Sequence, residues 1–533
     1  MRYAPGPKKH TNLPPAVARL LQRAVRALSL NQPASAEQAL KEALTLAPEH
    51  AEAHRLMGIA ALRAGHSQKA IESLRSALAK CPGDARITMT LGSVLLETGA
   101  IEQGLTHLKH ACELAPDTAI AWSNYGIALV YKEKMALARD AFERAIAIDP
   151  AFIKARTKLS EVLVSLGDKP AAVEVLRGTL KLQPDCVDAW VALSNLKTEP
   201  LGSEDVSQLK SLLGQAGMPD ESRIPLTFAL AKALEDQSDY AAAFEFVGKA
   251  NALKRRHVYW SRAEESDRVD AIAQAFARPA PEPLDAKLGE EVIFVVCVPR
   301  SGSTLTEQIL ASHSQVQGCD ELHVLHEVLE EESRRRGTAF PHWVPMATAA
   351  DWQRLGMAYL DQTRKFRDQH PRFTDKSPSN WAYVGAALAM LPGARIVNSR
   401  RDPLETCFAC YRQLFVRECH FTYDLDDMVD YYTGYHRLSA LWQQRFPQRY
   451  FDNHYESLQQ DMEGQIRRLL AFCELSFEPA CLKFHQNRRT VLTLSSAQVR
   501  EPLRQDTARS LRYREKLDPL RDKLRAAGLG STT

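Results

Sequence analysis

Two observations predict a multidomain chain: an N-terminal α-solenoid followed by a C-terminal α/β domain with a central parallel sheet. Prolines recur at Pro48, Pro82, Pro116, Pro150 and Pro184, each 34 residues after the last, and a fixed period of that kind marks a helical repeat array. Further on, Glu291-Val-Ile-Phe-Val-Val-Cys-Val298 is a continuous apolar run rich in β-branched residues, the pattern of a buried parallel strand. At once there follows Pro299-Arg-Ser-Gly-Ser-Thr-Leu305, a tight polar loop that opens a helical pattern from Thr304 to Ala311.

At 533 residues the chain has room for about three domains. Its 45% apolar and 25% charged content is that of a globular protein. A net charge of +3 gives no bulk attraction for polyanions, so no nucleic-acid partner is expected and any anion site must be local. The longest apolar run is the strand above, far short of a membrane span. Residues 1–13 are polar and Pro-rich with no apolar h-region, so no secretory signal or membrane partner is expected. Ten scattered cysteines fit reduced, buried thiols, and the expected compartment is the cytoplasm. Cys407-x-x-Cys410 has a metal-like spacing but no matching second pair, so no metal is expected.

The first half divides into units 17–50, 51–84, 85–118, 119–152 and 153–186. One small-residue register holds Ala24, Gly58, Gly92, Gly126 and Ser160; two more hold Ala36, Ala70, Gly104, Ala138, Ala172 and Ala43, Ala77, Ala111, Ala145, Thr179. Small residues there let paired helices approach closely, and stacked units bury what a single unit cannot. This half resembles tetratricopeptide repeats, which implies a TPR superhelix over 17–200 that follows a tail at 1–16. Val187 to Leu196 begins a partial sixth repeat, and the register fails near Pro200-Leu-Gly202. A divergent helical pair, Pro225–Glu235 and Tyr240–Leu253, occupies a connector over 201–277. Arg278-Pro-Ala-Pro-Glu-Pro283 marks a linker at 278–287. The array either scaffolds the protein or holds a peptide or protein acceptor in its groove.

In the second half, strand, tight loop and helix N-terminus form an anion-holding geometry. Gly302 allows close backbone approach, Ser301, Ser303 and Thr304 offer hydroxyls, and Arg300 adds a forked cation. The loop lacks the Lys of a Walker A motif, which disfavours a magnesium-nucleotide site. It resembles instead the phosphosulfate-binding loop of sulfotransferases that use 3′-phosphoadenosine 5′-phosphosulfate (PAPS). The resemblance spans 288–524, before a tail at 525–533, and implies a P-loop-like α/β sulfotransferase domain.

Further elements follow in that family's order. Val316-Gln-Gly-Cys-Asp-Glu321 leads into a helical run, Leu322 to Arg336. The resemblance to tyrosylprotein sulfotransferases implies Glu321 as catalytic base, with His323 and His313 as rivals and His313 read as structural. Glu330–Glu332 and Arg334–Arg336 read as a solvated helix with paired charges. Lys376, in Phe373-Thr-Asp-Lys-Ser-Pro378, is implied as the cation on the leaving nucleotide. Arg401, in the stretch Ala394–Pro403 that reads as a strand ending in a basic loop, is implied at the 3′-phosphate. The family's Ser eight residues further on is here Ala409; Arg400, Thr406 or Arg412 are candidate replacements. Tyr455 matches a residue near the nucleotide, although a core tyrosine fits equally. Ser495, or Ser496, matches a Ser that stabilises the transferring group, and Arg500 is its basic neighbour on a candidate lid. Leu511-Arg-Tyr513 stands where family members with repeats carry a Trp, and Tyr can also stack on a base.

The implied function is metal-free, in-line transfer of a sulfuryl group from PAPS to a hydroxyl, with peptidyl tyrosine the favoured acceptor. A degenerate sulfotransferase fold acting as a repeat scaffold is the alternative.

Overall fold

A computed structural model describes residues 14–196, 200–367, 370–415, 419–487, 489, 499–503 and 508–530. The chain divides into two compact units, 1–189 and 190–533.

The first unit is helical throughout its described length. Five antiparallel pairs run Pro15–Ser29 with Pro33–Leu46, Ala51–Arg63 with Ser67–Lys80, Ala85–Glu97 with Ile101–Leu114, Ala119–Tyr131 with Met135–Ile148, and Ile153–Leu166 with Lys169–Leu182. Each periodic proline lies two residues past a second helix, where it cannot extend the helix. The small registers are the contact seams. Ala36, Ala70, Ala138 and Ala172 are fully buried, as are Ala43, Ala77, Ala111, Ala145 and Thr179. A Cβ on Gly92 would lie 2.7 Å from Leu108 Cγ, and one on Gly126 2.9 Å from the Phe142 ring; neither helix pair tolerates a larger residue without separating.

The helix Val187–Asn195 runs across the division at 190, and the second unit continues with four helices: Ser203–Leu213, Asp220–Asp236, Tyr240–Arg255 and Arg262–Ala275. The sequence pattern starts the second of these at Pro225, because proline lacks the N–H a helix interior uses. The helix instead runs back to Asp220 and keeps Pro225 inside it.

Five strands follow: β1 Val292–Cys297, β2 Val316–Gly318, β3 Arg372–Lys376, β4 Arg395–Arg400 and β5 Tyr450–His454. They form one parallel sheet in the order β2-β3-β1-β4-β5. Every residue of β1 is buried, as its unbroken apolar run requires. Ile293 and Val295 face a core with Leu305, Ile309, Leu310, Leu458 and Ile466, while Phe294 meets Tyr359 at 5.6 Å between ring centroids. From β1 the chain runs out to the edge at β2, returns to β3, then crosses to β4. The loops after β1 and β4 therefore diverge and leave a crevice at their carboxyl ends.

The charged helix Val324–Arg336 is solvated with paired charges at Glu330, Glu331, Arg334 and Arg335, and departs from that reading at Glu332. Glu332 is 1% exposed and holds Arg335 at 2.7 Å, Arg336 at 2.5 Å and Arg354 at 2.8 Å. Those hydrogen bonds pull its carboxyl down to about 2. Arg354 arrives from the next helix, Ala349–Thr363, which local charge spacing cannot reveal. No helix among the described residues is long and apolar enough to cross a membrane.

Candidate active site

The site grows from the end of β1. Arg300 and Gly302 both take left-handed backbone, φ 69° and 92°. With Ser301 between them the hand alternates, which curls successive N–H groups towards one point. The helix Ser303–Leu310 begins there, and Ser301, Ser303 and Thr304 are buried around its start. A Cβ on Gly302 would touch the Tyr455 ring at 3.0 Å, so the turn needs glycine for its φ and for this contact. Ser399 and Asn453, on β4 and β5, donate to the Thr306 hydroxyl at 2.8 and 3.0 Å and fix the helix over the sheet. The Cys410 thiol donates to the Pro299 carbonyl at 3.1 Å, so this half of the Cys-x-x-Cys pair serves the loop's backbone.

A cavity of about 290 Å³ opens from the loop. Arg300, Gly302, Ser303 and Thr304 form one end, with Arg401, Ala409, Arg412, Tyr455 and Arg509 beyond them. Pro225, Phe228 and Lys232 of the helix Asp220–Asp236 supply a further wall. Burial, with Arg401, Arg412 and Arg509 adding repulsion, pushes the Arg300 guanidinium down to about 10. This surplus of positive potential favours an anion. Arg401 lies over the Tyr455 ring at 5.1 Å and 3.3 Å from Glu405.

Of the candidate replacements for a hydroxyl at 409, Arg412 lines the cavity. Arg400 pairs with Asp452 at 2.9 Å, and Thr406 is buried, its hydroxyl 3.4 Å from the Arg401 carbonyl. Arg509 stands beside Arg412, both held by buried Glu235, with Arg412 at 2.7 Å. Tyr513 is not available to stack on a base. It is 3% exposed, meets the Phe408 ring at 4.6 Å and donates to Glu235 at 3.0 Å.

A second cluster sits at the end of β3, adjacent to β1. Lys376 is fully buried; its Nζ donates to Glu321 Oε1 at 2.6 Å and pairs with Asp320 Oδ1 at 2.9 Å. Burial opposes its charge, yet Asp320, Glu307 and Glu321 hold the ammonium above its ordinary value. Glu321 is 45% exposed, so its carboxylate can meet an incoming group. His323 is exposed, and buried His313 binds the Ser476 carbonyl at 2.9 Å. Arg500 donates to the Arg489 carbonyl at 3.4 Å, outside the cavity wall. Ser495 and Ser496 lie outside the described residues.

Beside Lys376, burial pushes the Asp375 carboxyl from 3.8 up to about 7, against the Tyr359 hydroxyl bonded at 2.7 Å. An acid raised in the folded state contributes stability below its unfolded value, and that contribution is lost as pH rises through the folded one. Asp375→Asn is expected to flatten the pH dependence of stability between 3.8 and 7, because an amide does not titrate there. Denaturant unfolding across that range measures it; an unchanged slope refutes the assignment.

Residues 292–479 match the model of the Sulfotransferase family, and tetratricopeptide-repeat models match 21–85 and 89–151, and 129–196. The chain thus carries a Sulfotransferase-family domain in its second half and tetratricopeptide repeats in its first. The sulfotransferase match takes in the anion loop, Glu321, Lys376, Arg401 and Tyr455, and stops short of Arg500 and Arg509. A protein of Aquifex aeolicus (strain VF5), described as uncharacterized, is 31% identical over 396 residues, 72% of this chain and 51% of the relative. The chain thus spans about half the length of the curated relative it matches. Among solved structures, MamA from Desulfovibrio magneticus RS-1 is 24% identical, covering 33% of this chain and 99% of its own, with a TM-score of 0.30. A thermophilic TPR protein of Thermus thermophilus is 23% identical, covering 33% and 98%, also at 0.30.

Proposed function

We propose that this protein moves a sulfuryl group from PAPS to a hydroxyl acceptor, with peptidyl tyrosine the favoured acceptor and the repeats as its dock. The observation that carries the reading is a cationic cavity ending on a left-handed anion loop after β1, with an exposed carboxylate paired to a buried ammonium at the end of the neighbouring strand β3. The loop amides and Arg300 hold the phosphosulfate; Arg401, Arg412 and Arg509 face the 3′-phosphate. Glu321 takes the acceptor's proton as its oxygen bonds to sulfur. The sulfur–oxygen bond to the 5′-phosphate breaks, its electron pair stays on the phosphate oxygen, and Lys376 stabilises that charge. In this reading Lys376 turns from Glu321 to the bridging oxygen when donor binds, which frees the base.

Calorimetric titration with 3′-phosphoadenosine 5′-phosphate, against ATP and 5′-AMP, tests the donor site. Preferential binding of the 3′-phosphorylated nucleotide is expected, weakened at least tenfold in Arg401→Ala, as loss of a charge-assisted contact predicts. Equal binding of all three nucleotides, or none, would sink the reading. In the latter case the scaffold alternative, which rests on Ala409, takes its place.

A further inference from the structure

The helix behind the anion loop carries a charge that the proposed chemistry does not use. Glu307 is fully buried, and a carboxylate in that position needs partners. Its Oε1 accepts from the Asp320 backbone N–H at 2.9 Å and from the Thr374 hydroxyl at 2.8 Å. Its Oε2 accepts from Arg489 at 2.8 Å, and Arg489 also donates to Gln308 at 2.8 Å. One side chain thereby ties the loop helix to the segment before Glu321, to β3 two residues before Lys376, and to the chain beyond 487.

Asp320 explains what the tie is for. Its φ is 61°, left-handed backbone that a non-glycine residue keeps only when its surroundings hold it. The Lys376 N–H donates to its carbonyl at 3.0 Å, and Glu307 holds its amide from the other side. The next residue is Glu321.

We propose that Glu307 is a positioning residue: it fixes the strained Asp320 peptide and so aims the Glu321 carboxylate and its Lys376 partner at the transferring group. This rests on the sulfuryl-transfer reading above, and the test separates the two.

Glu307→Leu and Glu307→Gln are compared in the full chain by hydrogen exchange of the peptide spanning 316–323, which needs no turnover, and by kcat and donor KM. Leucine removes the acceptor, so exchange at Asp320 is expected to rise about tenfold, the size of one lost hydrogen bond. With it kcat falls on the order of 10²-fold, as misplacement of a reacting group predicts, at a donor KM within about threefold of wild type. Glutamine keeps an oxygen towards Asp320 and Thr374, although its amide NH2 then faces the Arg489 donor, so it is expected to restore the protection at Asp320 and only part of kcat. If the leucine variant does not fold, Thr374→Val, which removes one anchor on Oε1, must give the same kcat-only loss at smaller size. Unchanged exchange in the leucine variant overturns the proposal, as does exchange at Asp320 in the glutamine variant as fast as in leucine. A wild-type protein that transfers no sulfuryl group sinks the transfer reading and leaves exchange alone to decide the positioning role.

Discussion

Glu321→Gln is expected to lower kcat for sulfuryl transfer by about 10²–10⁴-fold, the usual contribution of a positioned proton acceptor. The substitution keeps the length and one carbonyl oxygen of a side chain that is 45% exposed and 2.6 Å from Lys376, so packing barely changes. Binding of 3′-phosphoadenosine 5′-phosphate should stay within about twofold, because the proposed mode assigns the nucleotide to the anion loop and its arginines and not to Glu321. Steady-state transfer to a tyrosine peptide, paired with calorimetry, separates the two quantities. Retention of more than about a tenth of the wild-type rate would remove Glu321 as base and pass the role to exposed His323, which opens the helix Val324–Arg336.

The parts of this site that sequence reveals are the ones written locally. The unbroken apolar β1, the Pro-Arg-Ser-Gly turn and the 34-residue proline spacing each carry their geometry within one short window. Lys376 and Glu321, 55 positions apart, are legible only through resemblance, and their contact depends on a parallel sheet that places β3 beside β1. What escapes is set by tertiary contact. Arg509 joins the cavity wall through Glu235, 274 positions away, and nothing near either residue signals it. Strand β2 is three residues long, too short for alternation to register. The helix Arg262–Ala275 buries only Val269 and Ile272 among its apolar side chains longer than alanine, so its stripe is too thin to read. Tyr513 shows the opposite failure: a plausible base-stacking aromatic is consumed by packing against Phe408.

Lys376→Met should separate the two ends of the proposed displacement. Methionine fills the buried space of the lysine stem but offers no charge to the phosphate oxygen that gains the electron pair. Loss of one such donor typically costs on the order of 10²–10³ in kcat. Glu321 is 45% exposed and can rehydrate, whereas Asp320, 15% exposed, loses its ammonium partner, so the variant is expected to be destabilised and is assayed at a temperature where circular dichroism shows it folded. The sharper distinction is in how the two variants respond to the acceptor. Glu321→Gln lacks a proton acceptor, so phenols of falling pKa, already partly ionised in water, should recover its rate progressively. Lys376→Met lacks help for the leaving nucleotide, which is the same for every acceptor, so its deficit should stay constant along that series. Measuring kcat for both variants across substituted phenols decides between them: parallel recovery would mean that the pair acts as one unit on the acceptor, and Lys376 would lose its assignment to the leaving group.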